Sequence, residues 1–63
     1  MKLAGYILRE IALALRGAQN GLTFAELSQL TGYEQKLIER ALYCLGDVGH
    51  AKEEGNQRWH YRP

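Results

Sequence analysis

Apolar residues recur with helical spacing from the start of the chain. Leu3, Ile7, Ile11, Ala14 and Leu15 fall on one face of a 3.6-residue helix. Ala4, Leu8 and Ala12 widen that face to about half the circumference. Lys2, Arg9, Glu10 and Arg16 lie opposite, with Tyr6 and Leu13 among them. The pattern predicts a helix over roughly Lys2 to Arg16. Gly17 to Gly21, reading Gly-Ala-Gln-Asn-Gly, is its stop and connection, because glycine and asparagine tolerate positive φ.

A second helix has the sharpest start signal in the chain. Thr23-Phe24-Ala25-Glu26 fits a capping box: the threonine side chain accepts from the amide of Glu26, and Glu26 returns to the amide of Thr23. Leu22 and Leu27 can close over it as a hydrophobic staple. This helix is expected over about 24–31, with Gly32 allowing a sharp reversal. A third helix follows over about 34–47. Ile38, Leu42 and Leu45 form its inner stripe, joined by Ala41 and by Tyr33 just ahead of it. Gln35, Lys36, Glu39, Arg40 and Tyr43 fall on its outer side, and Gly49 is a suitable left-handed stop.

The pattern then changes period. From His50 onward it suits a hairpin over about 50–62, with Ala51 to Glu53 as one arm and Arg58 to Arg62 as the other. Glu54-Gly55-Asn56-Gln57 supplies the turn. Alternation puts Trp59 and Tyr61 on one face and Arg58, His60 and Arg62 on the other. A two-stranded ribbon does not stand alone, so the aromatic face must pack on the helices.

Composition narrows the classes. At 63 residues the chain is one small domain, 1–63, and 46% hydrophobic with 24% charged residues is a globular balance. The single cysteine, Cys44, excludes a disulfide within the chain. Arg9, Glu10 and Arg16 interrupt any secretory signal or membrane span, and a lone thiol with no export signal points to the cytoplasm. Cys44, His50 and His60 match no standard zinc spacing, so neither metal nor cofactor is expected, and Cys44 is expected to be buried as a small hydrophobe. There is no glycine-rich phosphate loop, no inward carboxylate pair and no serine partner for either histidine, so the chain is not expected to be an enzyme.

Helix, capped short helix, glycine turn, longer helix and hairpin is the order of a winged helix-turn-helix. Leu-Thr-Phe-Ala-Glu-Leu-Ser-Gln-Leu-Thr-Gly-Tyr, residues 22 to 33, resembles the positioning helix and turn of bacterial winged-helix regulators. Glu34 to Leu42 resembles the recognition helix, and Asp47-Val48-Gly49-His50-Ala51 is similar to the exit into the wing. The resemblance covers most of the chain. It implies a mostly α fold with a small β-hairpin, a three-helix winged helix-turn-helix, acting as a small bacterial or phage-type transcriptional regulator.

Its implied mechanism is sequence-specific binding of duplex DNA without a cofactor. The third helix would enter the major groove, presenting Gln35, Lys36, Glu39, Arg40 and Tyr43. Arg40 can pair bidentately with guanine, Gln35 with adenine, and Glu39 can accept from cytosine N4, while Lys36 suits a phosphate. The wing would offer Lys52, Asn56, Gln57 and Arg58 to the backbone or minor groove. One residue departs from the family pattern: Glu34 stands where a phosphate-touching Ser or Thr is common. It suits the helix dipole but repels a phosphate.

Charge complicates this picture. The net charge is only +1, and basic and acidic residues balance across the proposed reading surface. Such a surface predicts a shallow salt dependence and modest affinity for a monomer. Dimerisation is the usual remedy. The apolar arc of the first helix is wider than a three-helix core needs, leaving Leu8 and Ala12, with Leu13 and Tyr6, for a homodimer. The competing expectation is a winged-helix docking module, or a fragment of a larger regulator, that does not itself bind DNA. The sign of the surface around Lys36, Arg40 and Arg58 separates the two.

Overall fold

The computed structural model describes residues 3–63. Its elements in chain order are α1 (Gly5–Arg16), α2 (Phe24–Thr31), α3 (Gln35–Asp47), β1 (Ala51–Glu54) and β2 (Arg58–Tyr61). The strands pair antiparallel, so the layout is three helices and a hairpin, consistent with a winged helix.

Helix α1 begins later than the apolar pattern predicts. Lys2 lies outside the described residues, and Leu3 and Ala4 are not helical. Ala4 takes the N-cap position in an extended conformation and has no side chain with which to cap. Gly5 follows it, and glycine is a poor helix former. Apolar spacing alone does not start a helix here, although Leu3 still packs against the core.

Helix α2 runs over the predicted range because its ends are written locally. The amide of Glu26 donates to Thr23 Oγ1 at 3.2 Å, and the amide of Thr23 donates to Glu26 Oε1 at 2.9 Å. Gly32 closes the other end with φ +80°, its amide donating to the Ser28 carbonyl at 2.8 Å. Helix α3 starts one residue later than expected, with Glu34 at the N-cap making no side-chain cap. It ends in a Schellman turn: His50 N–H donates to the Leu45 carbonyl at 2.8 Å and Gly49 N–H to the Gly46 carbonyl at 3.1 Å, with Gly49 at φ +83°.

The hairpin register pairs Ala51 with Tyr61, Lys52 with His60, Glu53 with Trp59 and Glu54 with Arg58. Arg62 N–H to the His50 carbonyl at 2.9 Å extends the ladder to the expected limits of 50–62. A third segment joins it, unforeseen in the sequence. Leu22 and Trp59 exchange both backbone hydrogen bonds, each at 2.9 Å, so the α1–α2 connection covers the outer edge of β2.

The core consists of Ile11 and Leu15 from α1, Leu27 from α2, Ile38, Ala41, Leu42 and Leu45 from α3, and Ala51 and Trp59 from the hairpin. Helices α1 and α3 contribute residues of their predicted stripes, and α2 contributes Leu27 of the expected staple. Leu8 and Ala12 also turn inward, half-buried against this core. Cys44 does not: it is exposed, since it sits one turn beyond Ala41 but rotated toward the outer flank of α3.

Candidate nucleic-acid interface

The residues nominated as DNA contacts separate into three groups. Lys36, Glu39 and Arg40 stand on the outer side of α3, where with Glu34 and Leu37 they line a shallow depression. Lys36 and Arg40 are exposed and Glu39 is half-buried. The ridge exists because Ile38, Ala41, Leu42 and Leu45 commit the opposite face to the core.

Gln35, Tyr43 and Gln57 form the second group, around a cleft of about 380 Å³ between α3, the start of α2 and the hairpin. Its floor is aromatic. Trp59, only 6% exposed, stacks on Phe24 with ring centroids 6.4 Å apart and takes the edge of Tyr43 at 5.9 Å. Tyr43 is therefore shared: one edge anchors the hairpin to α3, while 57% of the residue stays exposed toward the cleft. Glu53 also lines this cleft and is its one acidic or basic side chain among the described residues. Strand alternation could have revealed it, because Glu53 is two residues after the inward Ala51.

The third group is the hairpin itself. Lys52 is exposed on the outer face opposite His60, and Asn56 lies in the exposed turn. Arg58 is differently placed. Its guanidinium donates to the Gly21 carbonyl at 3.0 Å and pairs with Glu26 at 3.2 Å, tying the hairpin to the capped end of α2. The Thr23 amide, and then the charge of Arg58, hold the Glu26 carboxyl below its ordinary value. Glu26 thus serves a cap and an ion pair at once. Nothing in the sequence signals the pairing, since 32 residues separate the partners.

Arg58–Glu26 is the only ion pair among the described residues. Lys36, Arg40 and Lys52 make no ion pair among the described residues, but Glu34 and Glu39 line the same depression as Lys36 and Arg40. Among the described residues no three His, Cys, Asp or Glu side chains gather as a metal set, and no helix is long and apolar enough to cross a membrane. No protein-family model, curated protein or solved structure matches the chain.

Proposed function

We propose that this protein binds duplex DNA, with α3 in the major groove and the hairpin against the backbone, as a small transcriptional regulator. The observation that carries the reading is the outer ridge of α3. Lys36, Glu39 and Arg40 project from consecutive turns on the outer side of α3 and make no ion pair among the described residues, while Gln35 and Tyr43 of the same helix border the hairpin. A helix of this width fits the major groove, where Arg40 can read guanine and Glu39 cytosine. Gln35 lies at the N-terminal end of the same helix, where base contacts concentrate in helix-turn-helix proteins. Lys52 and Asn56 are the hairpin groups left for phosphates, because Arg58 already serves Glu26 and Gly21 and Gln57 borders the aromatic cleft. A homodimer would supply the affinity that this nearly neutral surface lacks. Leu8 and Ala12 do not suit its interface, since both pack inward.

One observation favours a second reading, a docking module for another protein. Carboxylates of Glu34 and Glu39 share the depression with Lys36 and Arg40, and they oppose a phosphate backbone. An amide chemical-shift titration with a short mixed-sequence duplex at low salt separates the two. DNA binding predicts shifts concentrated from Gln35 to Tyr43 and at Lys52 and Asn56. An unchanged spectrum rejects it and leaves docking. On a duplex selected from a random library, Arg40→Ala should cost about 1–3 kcal/mol and relax one base position. Lys52→Ala should weaken selected and random duplexes alike.

A further inference from the structure

Tyr6 and Leu13 project from the side of α1 opposite Ile11 and Leu15, and are 63% and 56% exposed. Seven residues apart, they lie one above the other on the helix. Arg9 and Glu10 sit midway between them and flank the line joining them, one on each side. Arg9 has no ion-pair partner among the described residues. Glu10 accepts one hydrogen bond, from the Tyr33 hydroxyl at 3.0 Å, which leaves most of its carboxylate available.

We infer that this face pairs two copies of the chain, α1 against α1 in parallel, with Tyr6 on Tyr6 and Leu13 on Leu13. The flanking charges select both the occupant and the direction. A two-fold axis running along the helices sets each flank beside the opposite flank of its mate. Arg9 then meets Glu10 of the partner subunit, and by symmetry the contact occurs twice. Antiparallel pairing instead sets each flank beside itself, bringing Arg9 to Arg9 and Glu10 to Glu10. Packed helices lie 8–10 Å apart, within reach of these side chains. The inference does not depend on DNA binding, as the face lies on α1 and shares no residue with the ridge of α3.

A charge swap tests it. Sedimentation equilibrium from about 10 μM to about 1 mM should show a monomer–dimer equilibrium for the native chain. Arg9→Glu and Glu10→Arg should each raise the dissociation constant about tenfold, because two attractive pairs become two repulsive ones. The double variant R9E/E10R restores opposite charges at both contacts and should recover the native constant to within about threefold. Among the described residues Arg9 makes no ion pair, and retained amide dispersion would verify that its variant is folded. A native chain that stays monomeric throughout overturns the inference. So do single reversals that leave the constant unchanged, as antiparallel pairing predicts, or a double variant no tighter than the singles.

Discussion

Asn56 and Gln57 both adopt left-handed backbone, at φ +70° and +62°. Asparagine tolerates this region, but for most L-residues it costs roughly 1–2 kcal/mol. Gly55, the residue suited to it, sits one position too early and keeps an ordinary φ. Gln57→Gly should therefore stabilise the fold by about 0.5–1 kcal/mol, after allowing for the entropy glycine loses on folding. Urea denaturation would measure it, and a lowered midpoint would contradict the assignment of strain. Glu26 gives a second residue-scale test. Its carboxyl is held below the ordinary 4.5, first by the Thr23 amide and then by Arg58. A carboxyl depressed in the folded state contributes stability above its unfolded pKa and loses it as pH falls through the folded value. Glutamine keeps the capping acceptor but not the charge. Urea midpoints followed from about pH 7 to about pH 3 should fall less steeply for Glu26→Gln than for the native chain. Equal slopes would show that the charge of Glu26 does not matter.

Helix ends show how far local chemistry reaches. Thr23, Glu26 and Gly32 define α2 within a single stretch of chain, so its range was readable from the sequence. The start of α1 was not, because no side chain near Ala4 can cap it. Two glycines illustrate a related difference. Gly32, at φ +80°, has open space where a Cβ would stand. Gly21, at φ +76°, would place that atom 2.7 Å from the Trp59 carbonyl and 2.7 Å from His60 Nε2. Gly32→Ala should cost only the left-handed penalty of about 1 kcal/mol. Gly21→Ala should cost at least about 2 kcal/mol, since the added methyl also wedges the Leu22–Trp59 bridge apart. Thermal melting of the two variants would compare them, and equal losses would mean that the bridge yields freely. The turn chemistry of Gly21 was visible in the sequence; its contact with a strand more than thirty residues away was not.

The molecule as a whole hangs on Trp59. It packs in the common core, stacks on Phe24, meets Tyr43 edge-on and bridges to Leu22, so it joins β2 to every layer. A domain of this length has a total stability on the order of 3–9 kcal/mol. Truncating a buried tryptophan to alanine costs about 3–5 kcal/mol. Trp59→Ala should therefore remove a third or more of the total stability, about 3–5 kcal/mol in urea denaturation. A loss below about 1 kcal/mol would show that the hairpin is dispensable to the helices. The candidate interface depends on the same packing, because the hairpin stands beside α3 through Trp59 and Tyr43.

Sequence alone determined what repeats or closes locally. Period and capping specified three helices, the inner faces of α1 and α3 and a hairpin with Trp59 inward, since each depends on residues a few positions apart. The outer set Gln35, Lys36, Glu39, Arg40 and Tyr43 followed as the complement of an inner stripe. Tertiary structure decided what lies across the chain. It spent Arg58 on Glu26 and Gly21, set Tyr43 against Trp59, turned Glu53 into the cleft and Cys44 outward, and drew Leu22 onto the edge of β2. It also turned Leu8 and Ala12 inward, leaving Tyr6 and Leu13 as the uncovered apolar residues of α1. These outcomes depend on which surfaces meet, and a helical or strand period records only which side of its own element a residue occupies.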